Sequence, residues 1–567
     1  MGNDEPQWGP KYPQYSAICE DSIDVSFDRY MERKESLIES PHDLIPLRLL
    51  ETALAIGENM HKVGFHSGNK IFPVLLKTIR KYTDIHKGEI FSHYYGFLCV
   101  RHLIRMICIS TLTKNEAFDS FLQDIKPNAS RITVSESLAE KALGFMTEAL
   151  YTEDLSNVAD TLGCSPKTGT AFMIDGGLSF RDVRFLVDVI WKSRKAIIPL
   201  RRCGLLPGLP ALVFVLCEMI IISNTPKPTR PWSQLRDILL RCYLGDTTLP
   251  GRGIMRQLAI FIHHRIVEYN IPNDYVPVDQ EDFCAIAGAW IDMLTPPLDL
   301  ALAPVMLLDV SMILYRWVFC LMANMYKGEN RLVAEWLAPA IMEAGCERLR
   351  LEIDREWDGP MPLHRCAFTR NYAAELFGHT SMLGELIKSS EVKDRFVRTL
   401  YESGFHELAG RTLLLLTRES FDDITEEEPE NLLHYIESLD RISAALATLP
   451  THPDDLSEEI FADWFKVNEQ ISHYHFGLYP SSAPHVAYES SLDAWGPLLP
   501  KRMIKRGRLL ISIHQCSYPR CADPTACGRH PEAKTVCQRC GKAWYCSRRC
   551  QQMHHALHTI DSHLVCW

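Results

Sequence analysis

Residues 183–191 read Val183-Arg184-Phe185-Leu186-Val187-Asp188-Val189-Ile190-Trp191. Val183, Leu186, Val187, Ile190 and Trp191 fall at i, i+3, i+4, i+7 and i+8. A helical turn of 3.6 residues therefore gathers them into one apolar stripe. A stripe of this kind predicts an amphipathic helix that has to be covered by another. The same period recurs outward in both directions. Toward the amino terminus it predicts helices over 44–63, 71–86, 90–113 and 137–151, the last opened by a capping box of Ser137 and Glu140. Toward the carboxyl terminus it predicts helices over 210–222, 232–243, 254–269, 280–294, 304–326, 332–354, 372–387, 392–401, 408–419, 430–449 and 458–474. Pro226-Lys227-Pro228, Pro250-Gly251, Pro296-Pro297, Gly359-Pro360 and Pro450 stand where these segments have to stop.

Period-2 alternation bounded by hairpin turns is scarce, so the body offers no sheet. The expected fold class is all-α. Many amphipathic helices with short connections bury their stripes most simply by stacking in pairs, as in an armadillo- or HEAT-like superhelix. No fixed repeat period accompanies them, and a compact irregular helical domain is the alternative. The chain divides into an irregular N-terminal segment (1–40) with Trp8, Tyr12 and Tyr15 tacked onto the body, a helical repeat-like body (41–476), a linker with a basic lead-in (477–512), and a cysteine-rich end (513–567).

With 46% hydrophobic and 23% charged residues, the chain has the composition of a soluble folded protein. Its first eleven residues lack the apolar core of a secretory signal. The apolar runs 209–223 and 301–325 are interrupted by Glu218 and by Asp309 and Arg316, charges that disfavour a membrane span. Both are expected to be buried helices, and no membrane partner is expected. Without a signal, the cysteines of the body are expected to be reduced core thiols of an intracellular protein, in cytoplasm or nucleus. The acidic run at Glu426, Glu427, Glu428 and Glu430 suits the first turn of a helix. Lys501-Arg502-Met503-Ile504-Lys505-Arg506-Gly507-Arg508 is expected to be a solvated face, with an import signal as the alternative.

Eight of the nineteen cysteines lie in the last fifty-two residues. They are Cys516, Cys521, Cys527, Cys537, Cys540, Cys546, Cys550 and Cys566, with His558 and His563 between the last two. A C-x2-C pair followed by a C-x3-C pair makes two knuckles, and thiolate with imidazole suits tetrahedral zinc. The segment from Lys501 onward carries 12 Lys and Arg against 3 Asp and Glu, so the first 500 residues hold a net charge of −20. Two zinc ions and seven thiolates would bring the tail to about +6. An acidic body and a basic tail could dock on each other, or the tail could attract anionic partners.

Cys537-Gln-Arg-Cys540 and Trp544-Tyr545-Cys546-Ser547-Arg548-Arg549-Cys550-Gln551, followed by His558 and a closing cysteine, resemble the MYND-type zinc finger. The resemblance implies two zinc ions per chain in a cross-brace. One would be held by Cys516, Cys521, Cys546 and Cys550, the other by Cys537, Cys540, His558 and Cys566. Cys527 is an alternative to Cys521, and His563 an alternative to His558. The first pair departs from the family's C-x2-C spacing. His555 stands where the family commonly has a tryptophan that, beside Gln551, forms a groove for proline-rich peptides. The resemblance thus implies a protein-interaction adaptor recognising a short segment of a protein partner, in a role such as transcriptional regulation.

Four protein ligands per zinc leave no position for an activated water, so catalysis by the metal is not expected. A SET-type lysine methyltransferase is the enzymatic alternative, but its cofactor-loop motifs are missing and the finger stands at the wrong end. Binding of nucleic acid through the basic tail is a further alternative, and charge alone would make it salt-sensitive and sequence-independent. His263-His264 and His364 with Cys366 form no catalytic constellation, and no phosphate-binding or nucleophile-elbow pattern is present.

Overall fold

The protein is described from a computed structural model over residues 8–11, 44–58, 71–124, 133–151, 164–165, 170–171, 178–222, 229–246, 249–268, 278–295, 305–327, 331–356, 363–416, 437–441, 467, 492–493, 495, 516, 518, 535–536, 544–545 and 548–552. It is all-α in class, and it forms two compact units, Met1–Val276 and Pro277–Trp567.

The first unit contains α1 (Leu47–Gly57), α2 (Ile71–Ile85), α3 (Tyr94–Lys114), α4 (Phe118–Asp124), α5 (Val134–Tyr151), α6 (Phe180–Lys192), α7 (Ile197–Arg202), α8 (Leu209–Ile222), α9 (Thr229–Gly245) and α10 (Leu249–Glu268). A short antiparallel pair, β1 (Cys164–Ser165) with β2 (Thr170–Ala171), lies between α5 and α6. The core sits on α8. Every side chain from Leu209 to Ile220 is buried, and α3, α5, α6, α9 and α10 all pack on it. A helix with no polar face has to be surrounded, because any side left open would keep apolar surface in water. The one acid in this run, Glu218, is buried with the rest.

The stripe at 183–191 forms α6 as expected, with Val183, Leu186, Val187 and Ile190 buried. Trp191 is half-buried, and the guanidinium of Arg194 lies 4.3 Å from its ring centre. A capping box of Ser179 and Asp182 opens this helix, and Asp182 also pairs with Arg80 at 2.5 Å. Trp8 is tacked onto the body as expected. It is buried edge-on against Tyr82, His86 and Tyr95, while Pro10 and Trp8 carbonyls accept from the first amides of α3, Tyr94 and Tyr95. Tyr12 and Tyr15 lie outside the described residues.

Arg105 ties three helices together. Its guanidinium donates to the Leu54 carbonyl of α1, to Glu58 and to Ser135 of α5, while its Cα belongs to α3. Among the described helices only α3 is long and apolar enough to cross a membrane, and most of it is buried inside the protein.

The second unit contains α11 (Gln280–Leu294), α12 (Val305–Lys327), α13 (Arg331–Glu356), α14 (Leu363–Leu386), α15 (Ser390–Glu402) and α16 (Phe405–Leu416). Its helices pack in alternation: α11 on α13 and α13 on α15, then α12 on α14 and α14 on α16. Cross-contacts of α12, α14 and α16 with α13 join the two rows. The core between them is aromatic, with Trp290 and Tyr372 both edge-on to Tyr315 at about 5 Å. Gly345 lets α13 come this close, since a Cβ there would lie 1.9 Å from the Tyr315 hydroxyl. On the rim, Arg316 reaches Glu375, which in turn lies 3.5 Å from His379. Val467 and Trp495 close over α16, where a Cβ on Gly410 would meet them at 2.6 and 3.0 Å.

Several expectations are corrected. The capping box of α5 is not Ser137 with Glu140. The helix starts at Val134, and the box is Thr133 with Glu136: the Thr133 amide donates to the Glu136 carboxylate and the Glu136 amide to the Thr133 hydroxyl. Both pairs carry the same signature, and the earlier one wins because it brings Val134 into the buried set with Leu138. Pro250-Gly251 does not precede a helix but lies in the first turn of α10, where proline's missing N–H costs nothing. α14 begins at Leu363, nine residues before the expected 372, so His364 and Cys366 are helical. The short helices α4 and α7 were not expected at all. The expected helices 430–449 and 458–474, the acidic run, and the basic lead-in 501–508 lie wholly or mostly outside the described residues.

Candidate metal centre and finger surface

The tail builds its local structure around a small hairpin. β3 (Thr535–Val536) pairs antiparallel with β4 (Trp544–Tyr545) in the register Thr535 to Tyr545 and Val536 to Trp544. Because the strands are antiparallel, the chain leaves them at opposite ends of the ladder. In sequence Cys537 follows β3 directly and Cys546 follows β4 directly. Residues 548–552 are helical and carry Cys550 on the buried side. Cys516, Tyr518 and Tyr545 are buried as well, at 2, 4 and 1% exposure. Tyr545 is therefore a buried residue and not part of an exposed contact surface. Tyr518 is a buried residue that cysteine spacing does not point to; its signal is an aromatic placed inside the first cysteine knuckle.

The outer side of the helical turn is polar. Arg548, Arg549 and Gln552 are exposed and Gln551 is half-buried beside Cys550. Of the eight expected ligands, Cys516 and Cys550 are described, and both are buried. Cys521, Cys537, Cys540, Cys546, His558 and Cys566 lie outside the described residues, as do Cys527, His555 and His563. Among the described residues, no three His, Cys, Asp or Glu side chains gather into a metal site.

A family model for the MYND finger matches residues 521–561. The carboxyl-terminal segment carries a MYND finger. The matched stretch spans Cys521, Cys527, Cys537, Cys540, Cys546, Cys550 and His558, and leaves Cys516, His563 and Cys566 outside it. No curated protein and no solved structure matches the chain. The finger binds zinc and is a protein-interaction module by kind. The donor set fits the metal: thiols and imidazoles in knuckle spacing, with two of the sulfurs withdrawn from solvent.

The described cysteines of the body fit the expectation of core thiols only in part: Cys99, Cys108, Cys217, Cys242 and Cys346 are buried, but Cys203 and Cys320 are half-buried and Cys284 is exposed. Cys108, Cys242 and Cys346 are completely buried, and desolvation pushes each thiol up to about 12. Thiols held protonated are poor nucleophiles and poor ligands, so these are core residues.

Proposed function

We propose that this protein is an adaptor, in which a helical body carries a zinc-pinned finger that recognises a short, proline-containing segment of a protein partner. The observation that carries the reading is the helical turn 548–552, where buried Cys550 anchors the turn and Gln551 stands half-exposed next to it. A groove pinned by metal loses little conformational freedom when it receives an extended segment, whose own polyproline geometry is already ordered. Gln551 supplies the polar contact, and His555 replaces the family's apolar wall.

In this reading two zinc ions are held in a cross-brace. Cys516, Cys521, Cys546 and Cys550 hold the first, and Cys537, Cys540, His558 and Cys566 the second. Burial of Cys516 with Cys550 supports the first set although Cys516 precedes the family match. Four protein ligands at each zinc close it to substrate, so the protein works as a scaffold and not as an enzyme. The alternating packing of α11 to α16 supports an armadillo- or HEAT-like stack in the body. Its compartment is intracellular, with transcriptional regulation a fitting setting.

Titration of the full-length protein with a fluorescent proline-rich peptide tests the reading. Saturable binding that is weakened about tenfold by Gln551→Ala and lost on zinc chelation supports it. Absence of binding at millimolar peptide with zinc still in place overturns it.

A further inference from the structure

The described face of the finger is cationic where the family reading expects an apolar groove. Arg548 is exposed and lies three residues before Gln551 and four before Gln552, so the three share one side of the helical turn. Arg549 is exposed on the neighbouring side. Tyr545, the aromatic that could have lined a groove, is instead buried at 1% exposure. In the sequence His555 stands where the family has tryptophan. The tail has only three acids, Asp523, Glu532 and Asp561, among its last sixty-seven residues.

We infer that the finger selects an acidic peptide: a partner segment whose proline-containing core is flanked by Asp or Glu, with a carboxylate received by the Arg548 guanidinium beside Gln551. This deepens the adaptor reading and rests on it. The physical reason is a trade. Losing the indole removes apolar contact area. A guanidinium one helical turn from the glutamine offers charge-assisted, two-pronged hydrogen bonding to a carboxylate in its place. The surrounding positive field, about +6 with both zinc ions bound, steers acidic segments in and disfavours basic ones.

The test uses the full-length, zinc-loaded protein and three fluorescent peptides of one proline-containing core, flanked by Glu, by Gln or by Lys. Anisotropy is read at about 50 and about 300 mM salt, with a single-stranded oligothymidylate as competitor. The inference expects the Glu peptide to bind about tenfold more tightly than the Gln peptide at low salt, and the Lys peptide to bind least. Arg548→Glu should abolish or reverse this order with zinc content unchanged, because the side chain is exposed and is no ligand. Equal affinity for the Glu and Gln peptides, or an order untouched by Arg548→Glu, would overturn the inference and leave the adaptor reading standing. Absence of binding by all three would overturn both. Oligothymidylate binding more tightly than the Glu peptide and displacing it would assign the charge to nucleic acid and overturn the peptide selection.

Discussion

The two units bury their cores by different means. In Met1–Val276, one helix without a polar face, α8, is enclosed by five others. In Pro277–Trp567, the six described helices pack in alternating rows; α13 touches the other five, but it keeps an open side at Leu332, Trp336 and Glu343, so it is not enclosed all round. The difference follows from composition along the helix: Leu209 to Ile220 is apolar at every position but Glu218, whereas α15 buries only Phe396, Val397 and Leu400. An enclosed core couples all its neighbours, while a row couples each helix to the ones beside it.

The largest effect should separate these behaviours. Phe214 is fully buried on α8, and Phe214→Ala should cost about 3–5 kcal/mol, with faster hydrogen exchange spread over α3, α5, α6, α9 and α10. Phe396→Ala in α15 should raise exchange mainly in α13, α15 and α16. Exchange that spreads equally far from both sites would erase the distinction.

Glu218 sharpens it. Burial pushes its carboxyl up from 4.5 to about 7. The folded state therefore holds this proton more tightly than the unfolded chain does. Its neutral form is tolerated below the unfolded value, and stability is lost as pH rises from about 4.5 through about 7. The loss is on the order of 3 kcal/mol. Glu218→Gln should remove it, so urea midpoints of the variant and the native protein should diverge as pH rises across that window. Parallel midpoints would mean the carboxylate has a compensating partner.

Helix caps give a smaller contrast. Thr133 and Glu136 satisfy each other's amides, whereas Ser389 accepts from Val392 at 3.4 Å with no return bond. Thr133→Ala should cost about 1 kcal/mol in thermal or urea unfolding, and Ser389→Ala less.

The smallest effect is expected at the surface of the second unit. Trp336 is 67% exposed with Arg395 over its ring at 4.6 Å, so Trp336→Ala should change stability by less than about 0.5 kcal/mol. A larger loss would show that this ring is covered.

Much of this architecture was legible in the chain. α11 runs from Gln280 to Leu294 as expected, since Asp279 caps its start and the apolar period ends at Leu294. The extent of α13 was legible despite Pro339 in its interior, but not its covered side, which buries Glu335, Arg348 and Glu352 and leaves Leu332 and Trp336 exposed. What escaped was local competition and short length. Two capping signatures four residues apart cannot be ranked without knowing which side chains find a core. α4 and α7, at seven and six residues, are too short for a period to show. The grouping into two units was not legible either, since apolar stripes say that a helix is covered and not by which helix. In the tail, cysteine spacing carried the finger, while the buried positions of Tyr518 and Tyr545 depend on packing that spacing does not encode.

The most direct measurement is zinc stoichiometry by native mass spectrometry on the full-length protein and on Cys550→Ala. The account predicts close to two zinc ions per chain in the native protein and loss of at least one in the variant, with the helical signal of the body retained. One zinc ion per native chain, or a variant that keeps its full complement, would contradict it.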